Sequence, residues 1–136
     1  MTGISIYTDG ASRGNPGEAA IGAVIFDGKE VVAELKRYLG KRTNNWAEYE
    51  AVSDALIRAK ELNLHGNPIR FFLDSKLVAE QLSGNWKIKE ATLREQNTKI
   101  HKVLEDFSDV TFTHIPREKN THADRLANEA LDHQNL

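Results

Sequence analysis

Cysteine is absent from the 136 residues, which removes disulfide frameworks and thiolate chemistry and accords with a reducing compartment. A long apolar run is also missing. MTGISIYTD reaches a charge after a short strand-like stretch, so neither a signal peptide nor a membrane span is read there, and a soluble cytoplasmic protein is the expectation. No internal repeat and no polar linker divides the chain, and 40% apolar residues suffice for one core, so residues 1–136 are read as a single domain. No unpaired apolar stripe stands out, and a monomer is expected. An excess of positive charge is lacking too: 18 Lys and Arg face 20 Asp and Glu, a net charge of −2. That excludes a strongly basic, indiscriminate binder of nucleic acid, whose affinity comes from neutralising phosphates. It leaves room for an enzyme that gathers acids around metal and keeps positive charge along the path of its substrate.

What is present is a change of hydrophobic period along the chain. Ile4–Thr8 reads as a short buried strand, followed by a turn-rich loop over Asp9–Gly17. Ala20–Phe26 and Lys29–Leu39 flank Asp27-Gly28, a two-residue hairpin signal, so the chain begins antiparallel. From Asn45 to Leu62 the apolar spacing is helical. Ile69–Leu73 is a strand, Ser75–Leu82 a short helix, Ala91–Phe107 a longer helix, Val110–Ile115 a strand and Thr121–Asp132 a closing helix. The order β-β-β-α-β-α-α-β-α implies an α/β fold with helices packed on a mixed sheet. Right-handed crossovers place the strands that end at Asp9 and Asp74 side by side, with both carboxylates at one edge.

Asp9, Glu48, Asp74 and Asp124 stand where elements start or stop. Taken singly, each has a structural reading: Glu48 and Asp124 as partners in capping boxes, Asp74 as an N-cap, Asp9 as turn chemistry before Gly10. Taken together they look like a site, because carboxylates from distant parts of a chain repel unless a divalent cation offsets them. Only hard oxygen ligands are offered, with no cysteine and no paired histidines at zinc spacing, which favours Mg²⁺ or Mn²⁺. GASRGNPG is not a phosphate-binding loop of the NTPase kind, since Gly17 leads into Glu18-Ala19 and no Gly-Lys-Ser/Thr follows.

TDGASRGNPG, TNNWAEYEA, FLDSKLV and NTHADRLANEA occur in that order, and across essentially the whole chain they resemble the four signature blocks of the type 1 ribonuclease H family. The resemblance implies a five-stranded mixed sheet with flanking helices. It also implies endonucleolytic cleavage of the RNA strand of an RNA–DNA hybrid with two Mg²⁺ ions (Mn²⁺ as substitute), giving 5′-phosphate and 3′-hydroxyl ends. By resemblance, Asp9, Glu48, Asp74 and Asp124 are the metal-binding carboxylates. Asn15, Asn44 and Asn45 match positions that contact the hybrid in its groove, where the 2′-hydroxyl distinguishes RNA from DNA. Gly10 and Ser12 lie in the same loop, Gly10 offering close backbone approach to the sugar, and Thr43 is a candidate for a DNA-strand phosphate.

His114 resembles the family's mobile histidine, with Arg117 as the competing cation and His122 as a further one. Residues 83–90 are shorter than the extra helix and basic protrusion of several bacterial members, which predicts weaker, more salt-sensitive binding. Trp86 beside Lys87 and Lys89, with Lys76 where the family often has an amide, remains as a small DNA-strand contact; the competing reading of Trp86 is a core residue. Two other functions stay open: a non-catalytic hybrid-binding module, and a superfamily nuclease acting on double-stranded RNA or DNA junctions.

Overall fold

The computed structural model describes residues 3–133. Strands Ile4–Gly14 (β1), Gly17–Asp27 (β2), Glu30–Arg42 (β3), Pro68–Leu73 (β4) and Asp109–His114 (β5) form one sheet in the order β3-β2-β1-β4-β5. β1, β2 and β3 pair antiparallel, whereas β4 lies parallel to β1 and β5 parallel to β4. The helices are Asn44–Glu61 (α1), Lys76–Leu82 (α2), Ala91–Leu104 (α3) and Thr121–His133 (α4), with a 3-10 turn at Arg117–Lys119. Element order and type are those read from the sequence. Among the described residues no helix is long and apolar enough to cross a membrane.

Strand alternation sends Ile4 and Ile6 of β1, Ala23 and Ile25 of β2, and Ile69, Phe71 and Leu73 of β4 to one face. There they meet Tyr49, Val52 and Leu56 of α1, Val78 and Leu82 of α2, and Leu93 and Ile100 of α3. Each of the Ile, Leu, Val and Phe side chains among them stabilises the fold by roughly 1.5–3 kcal/mol through burial. The opposite face receives α4, whose Ala130 and Leu131 pack on Ala20 and, at its edge, Ala11. The sheet is therefore held between one helix and three.

Several boundaries shift from the sequence reading, β3 running on past Leu39 to Arg42, and two of the shifts are instructive. Asp9–Gly17 is not a loop: β1 and β2 pair all the way from Ile4↔Asp27 to Gly14↔Gly17, leaving only Asn15-Pro16 as the turn. Pairing to a neighbouring strand keeps glycine-rich backbone extended where local turn chemistry predicts a loop. The helix read over Ala91–Phe107 ends at Leu104, where Asp106 and Phe107 close tight turns onto the carbonyls of Val103 and Leu104.

Candidate active site

β1 outruns its parallel neighbour. The β1–β4 register runs from Ile4↔Ile69 to Thr8↔Leu73, so Asp9 and Asp74 are the next residues on adjacent strands. Asp9 therefore lies within β1 but at the point where the parallel half of the sheet stops. Glycines then set the distance of the helices. A Cβ on Gly10 would lie 2.7 Å from the Ala47 carbonyl oxygen and closer still to Glu48 N, so the start of α1 rests directly on β1. Gly22, opposite Asp9 in register, does the same on the other face, where a Cβ would lie 2.6 Å from Ala127 N and closer to the Ala123 carbonyl oxygen of α4. The helices carrying Glu48 and Asp124 thus reach the sheet edge from opposite sides.

The result is a cleft of about 310 Å³ lined by Asp9, Glu48, Asp74 and Asp124 together with Asn44 and Arg117. Carboxylate oxygens of Asp9, Glu48 and Asp74 all lie within 4.8 Å of one another. Asp124 stands outside that tightest group but close enough for its carboxyl to act on Asp9. Glu48 is 2% exposed; its Oε1 accepts a 2.8 Å bond from Gly10 N, while its buried Oε2 has no hydrogen-bond partner.

Burial pushes the Asp9 carboxyl far up, and the negative charges of Glu48 and Asp74 push it further. Glu48 is raised as well, first by burial and then by Asp74; the neighbouring Asp9 carboxyl, the Gly10 N–H and the Arg117 guanidinium act against that rise. The nearness of the two carboxyls raises Asp9 and lowers Glu48, so the two titrate as a linked pair. Converging carboxylates that hold protons against their ordinary chemistry, one with an unpartnered buried oxygen, suit a hard divalent cation, which would take the protons' place.

The caps fall elsewhere. Thr43 caps α1, its hydroxyl accepting from Trp46 N at 3.2 Å, and Ser75 caps α2, accepting from Val78 N at 3.2 Å. Neither Glu48 nor Asp74 is used for capping, so both of those structural readings are displaced. The Asp124 carboxylate takes a 3.3 Å bond from the Asn128 amide one turn along α4.

Around this centre, Ser12 bonds to the carbonyls of Gly14 and Arg42 and lines the cleft. Asn15 accepts from Asn44 N at 3.0 Å, tying the β1–β2 turn to the start of α1. Asn45 lies half-buried in the first turn of that helix. The reason for a glycine at position 10 changes: its open side faces α1, not the cleft. Trp86 is 43% exposed, which displaces the reading of a core tryptophan, and Lys76 Nζ sits 5.9 Å from its ring centre. Residues 83–90 form a short connection from α2 to α3, pinned by Arg94 donating to the carbonyls of Ile88 and Lys89.

His114 lies exposed at the end of β5, in register with Leu73 and outside the residues that line the cleft; Arg117 lines it. His122 is directed away, its ring nitrogen 2.5 Å from a Glu34 carboxylate oxygen on β3. Sequence reasoning missed Gly22 and Asn120. A glycine inside the apolar run AIGAVIF is a signal of close backbone approach and points to the first. Asn120 looks only like a residue preceding a helix.

A protein family described as "Reverse transcriptase-like" matches residues 7–130. The chain is 44% identical over 130 residues to a ribonuclease HI of Halobacterium salinarum, an alignment covering 95% of this chain and 64% of that protein. It thus spans less than two thirds of that relative. It is 33% identical to a ribonuclease H of Clostridium botulinum over the full length of both. Among solved structures, LC11-RNase H1 in complex with an RNA/DNA hybrid superposes with a TM-score of 0.91 at 44% identity, covering 95% of this chain and 96% of that one.

Proposed function

The chain belongs to the type 1 ribonuclease H family, and from that premise we propose that it is a metal-dependent endoribonuclease cleaving the RNA strand of RNA–DNA hybrids. The observation that carries the reading is the convergence of Asp9, Glu48 and Asp74 within 4.8 Å in a cleft that Asp124 also lines. Residues 1–136 act as one domain, a cytoplasmic monomer in this reading.

Asp9, Glu48, Asp74 and Asp124 would hold two Mg²⁺ ions, with Mn²⁺ as substitute. When bound, such a pair activates the attacking water and neutralises charge on the phosphate and the leaving oxygen. The chain's own residues do the rest. Asp9, which lies in the cluster with Glu48 and Asp74, would hold metal together with them. Glu48 is fixed by Gly10 N through Oε1, which leaves Oε2 for metal and for the RNA sugar. Arg117 offers a fixed cation at the cleft, balancing the acids and facing a phosphate. Its place in the cleft lining favours it over His114 for that role. Water attacks phosphorus as the bond to the 3′ oxygen breaks; the 3′ oxygen takes a proton, leaving 5′-phosphate and 3′-hydroxyl ends.

Substrate choice would rest on the rim. Asn44 and Asn45, with Asn15 braced against Asn44 N, present amide donors and acceptors suited to 2′-hydroxyls. Ser12 and the backbone at Gly10 border the same groove. Thr43 has its hydroxyl engaged as a cap, so a phosphate would meet it as an additional acceptor. Trp86 and Lys76 offer stacking and charge to the DNA strand.

The test is cleavage of a uniform RNA–DNA hybrid, double-stranded RNA and duplex DNA with Mg²⁺ or Mn²⁺, comparing wild type with Asp9→Asn and Asp74→Asn. Cutting confined to the hybrid's RNA strand, and lost in both folded variants, is expected. Tight hybrid binding without cutting in either metal would replace the enzyme with a binding module, and preferred cutting of double-stranded RNA would replace its substrate.

A further inference from the structure

Asn120 lies between the 3-10 turn and α4 and is 1% exposed. Its side-chain nitrogen donates to the Thr8 carbonyl at 2.8 Å and to Asp74 Oδ2 at 2.9 Å. Both partners are acceptors, so the amide can face them only with its NH₂ group, and its orientation follows from chemistry. Its backbone carbonyl accepts from Asp124 N at 3.2 Å. One buried residue therefore touches the residue before Asp9, the carboxylate of Asp74 and the backbone of Asp124. These come from β1, from the end of β4 and from α4, which no local interaction would hold in register.

We propose that Asn120 is the positioning residue of the metal centre: its amide holds the Asp74 carboxylate in place and ties it to the β1 edge beside Asp9. Two features separate this from a merely structural asparagine. An amide that served only to seal the sheet would need just the Thr8 carbonyl, whereas here the second proton goes to a carboxylate of the cleft. Nor is the residue fully satisfied by the fold, since its buried Oδ1 has no hydrogen-bond partner. Leaving a buried acceptor unmatched is costly, and here the group is oriented by its donor side. With Oδ2 of Asp74 taken by the amide, Oδ1 would be the oxygen left to a metal. A hydrogen bond of this kind orients a ligand, and its loss typically weakens metal binding or activity by about 10–100-fold.

The inference rests on the metal-site reading above, so its test is metal binding itself, not cleavage alone. Mn²⁺ would be titrated into the full chain by water-proton relaxation, in wild type and in Asn120→Leu, which nearly conserves volume without an amide. Asn120→Ala serves if the leucine fails to fold. Mn²⁺ affinity is expected to fall about 10–100-fold. The same substitution placed on Asp74→Ala should change affinity less than about 2-fold, because the partner of the amide is gone. On the hybrid, kcat should fall in parallel while KM stays within about 2-fold, with partial recovery at high Mn²⁺. Wild-type Mn²⁺ affinity in a folded Asn120 variant overturns the proposal, as does an equal loss in both backgrounds, which would make Asn120 a support of β1 and α4 only. If wild type binds Mn²⁺ but cuts no hybrid, the ribonuclease reading fails while the role of Asn120 is still decided.

Discussion

Replacing Gly10 by alanine puts one methyl group where the start of α1 already lies. The added carbon would stand 2.7 Å from the Ala47 carbonyl oxygen, and nearer to Glu48 N and the Ala47 carbonyl carbon. Ordinary carbon–oxygen contact begins at about 3.3 Å, so the helix must retreat by roughly 1 Å, and all three atoms are backbone that cannot rotate away. The 2.8 Å bond from Gly10 N to Glu48 Oε1 then opens beyond hydrogen-bond range. Overpacking costs about 1–3 kcal/mol and loss of a bond to a carboxylate about 1.5–3 kcal/mol, together roughly 2.5–6 kcal/mol. For a chain of this size that lowers Tm by about 10–20 °C. A displacement of roughly 1 Å in a metal-holding carboxylate should cost cleavage about 100-fold. The control is Gly66→Ala, where nothing lies within 4 Å of the added carbon and the backbone is not left-handed; it should be neutral or stabilise by up to about 1 kcal/mol. Thermal unfolding and Mn²⁺-supported cleavage of both variants decide it. A Gly10→Ala protein melting within about 2 °C of wild type would refute the close approach and with it the account of how Glu48 is held.

Three further outcomes follow from the site. Asp9 and Glu48 keep protons that the unfolded chain has released above their ordinary values of 3.8 and 4.5, so the metal-free fold should lose stability as pH rises through that range toward neutrality. Melting curves from about pH 5 to about pH 8 should show Mn²⁺ restoring more stability at the higher pH, and Asp9→Asn flattening the dependence; a metal-free Tm that climbs with pH contradicts it. Arg117→Ala should lower kcat by about 10–100-fold while His114→Ala stays within about 2-fold, and the reverse order in steady-state kinetics would return the role to the histidine. Trp86→Ala and Lys76→Ala should each weaken hybrid binding about 3–10-fold without changing Tm, the lysine variant also reducing the salt slope by about 1; an unchanged salt titration removes that contact.

The meeting of the four acids at one cleft, the order of the elements and the central pairing of the Asp9 and Asp74 strands were legible in the chain itself. Hydrophobic period separates strand from helix, and the handedness of crossovers leaves few ways to arrange them. The four blocks also named the family before any geometry was known. Capping was less legible: Thr43 caps α1 without Glu48, and Ser75 takes the duty read for Asp74, because neighbouring residues of similar chemistry compete and helix phase chooses between them. The extension of β1 and β2 through a glycine-rich stretch was not legible, since turn propensity is local and strand pairing is not.

Only the folded chain decides how near the helices come. Whether Gly10 faces solvent or the backbone of α1, and whether Gly22 admits α4, depends on side-chain alternation read against packing from two directions. Arg117 reaches the cleft while His114, three residues earlier, does not, because β5 ends at His114 and the chain turns at Pro116. Asn120 meets Thr8 and Asp74 across 112 and 46 residues. Composition and period specify which groups a chain carries and which segments they ride on. The distances that bring three carboxylates within 4.8 Å of one another come from contacts between segments far apart in sequence, and those exist only once the core has closed.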